Sequence, residues 1–266
     1  MSFWTIVLIC WLGAAIGMTA VWALSMRTRN AGYVDAAWAG LLALAALFIG
    51  FVGEGDELPR LLVALFGGLW GSRLCLHLLH RVLREPEDGR YQAMRAAIGD
   101  APGKWLLFFQ AQALVIALFT IPFAAAASAT ADAQGIRPLM MAAIVVWLIA
   151  FGGEALADWQ LDRFRCNPAN KGRLCRSGLW AWSRHPNYFF EWLHWFAYVL
   201  LAWHGPYVLW SLVGPVVMFA FLWRVSGIPW TEAQALRSRG DAYRRYQREV
   251  SAFFPWPPKA GTPQQD

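Results

Sequence analysis

Seven stretches of the chain, 3–26, 34–53, 60–83, 104–127, 138–158, 187–203 and 206–225, are apolar over about the length that crosses a bilayer. Spanning roughly 30 Å of hydrocarbon takes about 20 residues of helix. No water reaches that layer, so each stretch must satisfy its own peptide groups as a helix. Composition supports this: 15% of the residues are charged, against roughly a quarter in soluble domains. The expected fold is all-α, a polytopic membrane protein of seven transmembrane helices. It reads as one domain over 1–258 with a polar tail over 259–266. Ala and Gly are abundant in the stretches and allow close helix contact where lipid offers no hydrophobic drive.

The first stretch does not read as a cleavable signal. It lacks a basic n-region, its apolar run is too long, and Arg27 and Arg29 follow it. That pattern sends the N-terminus outward. Loops on the outer side carry Glu54, Asp56, Glu57 and Arg60, then Asp132 and Arg137, while Arg73 lies within a span. The rest of the 23 Lys and Arg residues fall in or beside the opposite loops and tail. The positive-inside rule makes that side, and the C-terminus, cytoplasmic. The net charge of +6 then follows largely from topology and attraction to anionic headgroups, and calls for no nucleic-acid partner. The expected location is a membrane crossed many times, with lipids as neighbours and no obligatory protein partner. Cys10 and Cys75 fall in spans and Cys166 and Cys175 in a cytoplasmic loop, which argues against disulfides. No zinc spacing is present, so no metal is expected.

Against this background the polar exceptions carry the information. Asp35 opens the second stretch between Tyr33 and Trp38, where it either caps the helix or serves a site. Arg73, His77 and His80 recur at helical spacing and share one face of the third stretch. Ionisable groups at that depth are costly against lipid and mark function. The loop from Arg84 to Lys104 contains Pro86 and Gly89, reads as broken and solvated, and carries Arg90 and Tyr91 within reach of a ligand. Glu154 and Asp158 share a face near the end of the fifth stretch. Arg163, Arg165, Lys171, Arg173, Arg176 and Arg184 then make a cradle suited to phosphates.

The densest polar set runs from Ser177 to Glu191. Gly178 marks a turn, and Pro186 suits the first turn of a helix while excluding His185 from it. That helix places Asn187, Glu191 and His194 on one face, with Arg184 and His185 just outside its positive end. After the last stretch come an amphipathic helix with Glu232, a break at Gly240, and a basic-aromatic helix with Tyr243 and Tyr246. Glu232 is placed to pair with an arginine. The run from Ser251 to Pro258 is apolar enough to tuck under the membrane face. No dinucleotide-binding glycine fingerprint, phosphate-binding P-loop or nucleophile elbow occurs.

Gly178-Leu-Trp-x-x-Ser-Arg-His-Pro-Asn-Tyr-x-x-Glu191, Trp230-Thr-Glu232, Tyr243-x-x-Tyr246 and Phe253-Phe-Pro255 together resemble the steroid 5α-reductase (3-oxo-5α-steroid 4-dehydrogenase) superfamily. The resemblance covers essentially the whole chain and is nearest to the bacterial branch long catalogued as a domain of unknown function. It implies NADPH-dependent reduction, within the membrane, of the conjugated C=C bond of a 3-oxo-Δ4 steroid or sterol-like lipid that enters from the bilayer. By matching positions it implies cofactor contacts at Asp158, Arg165, Arg173, Asn187 and Glu191, with Arg184, His185, Tyr188, Glu232 and Tyr243 beside them. The family's Gln-Glu pair and Tyr on the substrate carbonyl fall at Val34-Asp35 and Leu78 here. Asp35, with Tyr33 or His77, is therefore expected to take the catalytic role. Isoprenylcysteine methyltransferases share a related Arg-His-Pro motif. An S-adenosylmethionine-dependent lipid or isoprenylcysteine-type methyltransferase is the alternative, and a lipid-binding or transport protein a third reading.

The chemistry also stands on its own. Hydride addition to a conjugated enone puts negative charge on the carbonyl oxygen, which needs a positioned donor. A carboxyl group in an apolar site keeps its proton to higher pH, so Asp35 can donate while neutral, as can His77.

Overall fold

The computed structural model describes residues 1–130, 136–225 and 227–259, without the side chains of 136 and 137. The expected outer-loop charges Asp132 and Arg137, and the tail over 260–266, lie outside the described residues. All regular structure described is helical: α1 (Phe3–Thr28), α2 (Tyr33–Val52), α3 (Glu57–Arg84), α4 (Gly89–Ile98), α5 (Pro102–Ala126), α6 (Ile136–Cys166), α7 (Pro186–Ala202), α8 (Val208–Ser211), α9 (Val213–Ala220) and α10 (Ile228–Glu249). Two 3₁₀ turns, Pro168–Asn170 and Gly178–Ala181, interrupt the α6–α7 connection, and a π-helical turn, Phe221–Val225, follows α9.

Six helical stretches among the described residues are long and apolar enough to cross a membrane: α1, α2, α3, α5, α6 from Pro138, and the stretch from Val208. The last is apolar only up to the π turn. α10 beyond it carries Glu232, Arg237, Arg239, Asp241, Arg244, Arg245, Arg248 and Glu249 and lies outside the span. The expected sixth crossing, 187–203, is the 17-residue α7, about 25 Å long at 1.5 Å per residue. Large apolar side chains stay exposed on the helices, Phe51 at 82%, Ile16 at 73% and Leu107 at 72%. Surfaces of that kind belong in hydrocarbon rather than water.

Two compact units make up the chain: 1–143 with 198–214, and 144–197 with 215–266. In the first, α2 and α3 pack through small residues. A Cβ on Gly67 would lie 2.4 Å from the Ala46 Cβ, and one on Gly71 2.7 Å from the Ala39 carbonyl oxygen, so glycine is what permits this approach. Trp38 of α2 stands edge-on to Trp70 of α3 and Phe119 of α5, with ring centroids 6.2 and 5.4 Å apart.

The 84–104 connection departs from expectation, because it contains the ten-residue helix α4. Asp88 is its N-cap, with its side chain accepting from the Arg90 amide at 2.9 Å. Gly89 thus starts a helix behind an aspartate cap instead of breaking one.

In the second unit Phe190 of α7 lies where a Cβ on Gly153 of α6 would sit, 2.5 Å away. Phe253 is buried among Phe189, Trp192, Phe219 and Trp223. The expected tuck of the C-terminal segment is thereby anchored on α7, α9 and the π turn. Gly240 adopts φ 50°, ψ −123° inside α10, a conformation open to glycine alone, and this is the expected break.

Candidate functional site

The second unit gathers most of the sequence-predicted residues around the start of α7. Gly178, at φ 60°, turns the chain so that the Leu179 amide donates to Gln160 Oε1 at 2.9 Å and Trp180 Nε1 to the Ala157 carbonyl at 3.0 Å. This ties the 178–185 loop to the end of α6. The C-terminal segment binds the same loop: Arg184 N donates to the Ser251 carbonyl and Trp256 N to the Trp182 carbonyl, at 2.9 and 3.0 Å. Pro186 then opens α7, as its fixed φ favours.

Glu232 is the hub. Its Oε1 receives a hydrogen bond from Arg184 Nε at 2.7 Å and pairs with Nη2 at 2.6 Å, with His185 Nε2 and Tyr243 Oη each 3.4 Å away. Its Oε2 receives Gln247 Nε2 at 2.8 Å. Burial by itself would raise the Glu232 carboxyl. The hydrogen bond from His185, the charge and hydrogen bonds of Arg184 and the Gln247 amide outweigh it and hold the carboxyl at about 2. Arg184 spends its remaining donor, Nη1, on the Gln247 and Val250 carbonyls. The expected arginine partner of Glu232 is therefore found, and the guanidinium that sequence placed beside a cofactor clamps α10. Burial lowers His185 below its ordinary 6.5, with Glu232 opposing, so the ring is neutral near pH 7.

Below this hub α7 carries a polar row into the unit. Asn187 Nδ2 donates to Asp158 Oδ1 of α6 at 3.3 Å. Glu191 and His194 are buried, and so is Glu154 of α6. Tyr188 stacks on His185 with centroids 5.2 Å apart and planes within 7°. Arg165 at the end of α6 and Arg173 in the following loop are exposed, as are Arg163, Lys171 and Arg176. Arg176 pairs with Glu249. Chemically, exposed guanidinium groups suit phosphate oxygens, and carboxylates and an amide suit hydroxyl and carboxamide groups.

The first unit holds the other candidates. Tyr33 and Asp35 lie in the first turn of α2, and Arg73 and His77 on α3. Asp35 is no cap, since the N-cap is Gly32, without a side-chain capping bond. Its Oδ1 accepts from Tyr91 Oη at 2.6 Å and its Oδ2 from Arg90 Nη2 at 2.8 Å. Burial and then the Asp35 charge lift the Tyr91 phenol well above its usual range, so it remains a donor. Burial works against the Arg90 charge, but Asp35, Tyr91 and Asp88 more than restore it. Asp88 also receives Arg81 at 3.1 Å, and Glu87 receives the Ala31 amide at 2.7 Å and Arg95 at 2.8 Å. The structure thus joins Asp35 to α4, through residues that sequence placed only within reach of a ligand. The missed signal was Asp88, whose capping of α4 puts Arg90 and Tyr91 on its first turn.

Residues 21–250 match the family described as a protein of unknown function (DUF1295). An uncharacterised protein of Schizosaccharomyces pombe, C594.04c, is 26% identical over 267 residues, covering 88% of this chain and 75% of its own length. No solved structure matches.

Proposed function

The chain belongs to the DUF1295 family, a steroid 5α-reductase-like family, and we propose that it is a multi-pass membrane reductase using NADPH on the conjugated C=C bond of a 3-oxo-Δ4 steroid or sterol-like lipid. The observation that carries this reading is the polar row of α7. Glu191 is 8% exposed and His194 fully buried in an otherwise apolar helix, below a loop of exposed arginines. Buried ionisable groups in such a helix are costly and are kept for a site.

In this reading Arg165 and Arg173 hold phosphate, while Asp158, Asn187 and Glu191 hold the hydroxyl and amide groups of the nucleotide. His185, Tyr188 and Tyr243 flank it, and Arg184 and Glu232 fix the loop that carries these groups. When bound, NADPH supplies the hydride. Negative charge then develops on the substrate carbonyl oxygen and requires a donor already in place; Tyr33 and His77 are the candidates, because Asp35, expected to donate while neutral, is instead an ion-paired carboxylate that accepts from Arg90 and Tyr91. Arg90 and Tyr91 orient Asp35. The apolar surroundings of a helix bundle admit a lipid substrate and keep water from the reacting carbon.

We also place α7 as a seventh crossing, with the N-terminus outside and the nucleotide groups and C-terminus in the cytoplasm. A span a few Å short is accommodated by local bilayer thinning at a fraction of a kcal/mol per Å. The test is incubation of the detergent-purified protein with NADPH and a panel of 3-oxo-Δ4 steroids, following nicotinamide absorbance and product mass. A product heavier by two hydrogens supports the reading. A product heavier by one methylene with S-adenosylmethionine would replace it with the methyltransferase alternative.

A further inference from the structure

His185 looks from sequence like half of a cationic pair at a helix N-terminus, ready for an anion. The geometry around it says otherwise. Arg184 directs its donors to Glu232 and to the Gln247 and Val250 carbonyls. The His185 backbone N–H donates to Ser183 Oγ at 3.1 Å, and its ring is held by Tyr188 stacked on one face and by Glu232 Oε1 3.4 Å from Nε2. A carboxylate only accepts hydrogen bonds, so the ring nitrogen turned toward it must carry hydrogen. The ring's second nitrogen, Nδ1, receives no hydrogen bond from any described residue. A histidine needed only to brace the loop would be satisfied by the Nε2 contact and the stack.

We propose that Glu232 is a positioning residue. It fixes His185 as the Nε2–H tautomer and leaves Nδ1 as an acceptor for a hydroxyl or amide N–H on the bound ligand. Arg184, Gln247 and Tyr243 hold the carboxylate in place, and Tyr188 keeps the ring in plane. Burial favours the neutral ring, which is the form that presents a lone pair at Nδ1. The site at His185 therefore selects a hydrogen-bond donor and not a phosphate, and phosphate recognition falls to the exposed Arg165 and Arg173. The ligand half of this inference rests on the nucleotide-binding reading above; the tautomer half does not.

The experiment uses the full-length protein in detergent, labelled with ¹⁵N-histidine, and a His185→Gln variant to assign the ring among the 5 histidines. Long-range ¹H–¹⁵N correlation at neutral pH should show His185 as Nε2–H in wild type and as a mixture in Glu232→Gln. His185→Gln can still donate to Glu232 but offers no Nδ1, and should weaken NADPH binding about two- to tenfold, the worth of one neutral hydrogen bond. An Nδ1–H tautomer or an imidazolium in wild type overturns the inference, whatever becomes of the Glu232 variant. NADPH binding by His185→Gln equal to wild type overturns the acceptor role while leaving the nucleotide reading standing. Absence of NADPH binding by wild type sinks that reading and, with it, the ligand half.

Discussion

Removing the Arg184 guanidinium should open the second unit by a measurable amount. In Arg184→Met the stem is kept, but Glu232 loses the Nε donor at 2.7 Å and the ion pair to Nη2 at 2.6 Å, and two carbonyls lose Nη1. The side chains of the pair are 9% and 15% exposed, so solvent screening discounts little. Breaking such a buried pair from one side costs about 3–5 kcal/mol. The carboxyl gives the stabilisation that His185, Arg184 and Gln247 supply together. Its fall from an ordinary 4.5 to about 2, at about 1.4 kcal/mol per unit, is worth about 3 kcal/mol. Cys175 reports on the opening, because it is buried and close enough to Tyr246 of α10 to interact with it electrostatically. Thiol labelling of Cys175 under native conditions should accelerate on the order of 10²-fold in Arg184→Met, the equivalent of about 3 kcal/mol. Arg184→Met/Glu232→Leu should recover much of the loss, since an apolar pair carries no uncompensated charge. Labelling within threefold of wild type in the single variant, or no recovery in the double, would refute the assignment of the clamp. The folded carboxyl is depressed, so this stabilisation is full above about pH 4.5 and is lost as pH falls toward 2.

Under the proposed function, Asp35→Ala should cut turnover on the order of tenfold, the worth of one hydrogen bond to a charged group, because it releases Arg90 and Tyr91 from α2, with Asp35→Asn intermediate and NADPH binding retained in both. Wild-type turnover in Asp35→Ala would leave Asp35 a tether for α4 only. Arg165→Ala and Arg173→Ala should lower NADPH affinity more than NADH affinity, because a 2′-phosphate adds about −1.5 to −2 charge; equal losses in binding titrations would take these arginines off that phosphate. His185 is depressed below 6.5 when folded, so the unfolded chain binds the extra proton and stability should fall as pH drops through 6.5. Tryptophan-fluorescence melts over that range should show the slope in wild type and a weaker one in His185→Gln; equal slopes would assign it to another group.

The helical class and most helix positions were legible because a bilayer imposes so few solutions on an apolar run. Pro186 and Gly240 were legible for a local reason, each being tied to one backbone conformation. α4 was hidden because its stabilisation is tertiary. Its apolar stripe is only Tyr91, Met94 and Ile98, and Arg90 and Tyr91 hold it by reaching Asp35, 55 and 56 residues away. The short α7 shows the limit of counting apolar residues. His204 and Gly205 end the run, and the helix stops at Ala202.

For the site, residue types were legible and partnerships were not. Sequence put Asn187, Glu191 and His194 on one face of a helix starting at Pro186, and backbone periodicity alone enforces that arrangement. It also put Arg184 beside the positive helix end, where an anion is stabilised. The anion that arrives there is Glu232, 48 residues along the chain. A free ligand anion and a protein carboxylate satisfy that end of a helix equally well. Composition cannot tell them apart, whereas an internal carboxylate saves the entropy of association that a ligand would lose. The same reasoning moves phosphate recognition outward. Arg165, at the end of α6, and Arg173, in the connection that follows, are exposed, and under the proposed function they are the cations that would meet a charged partner from solution.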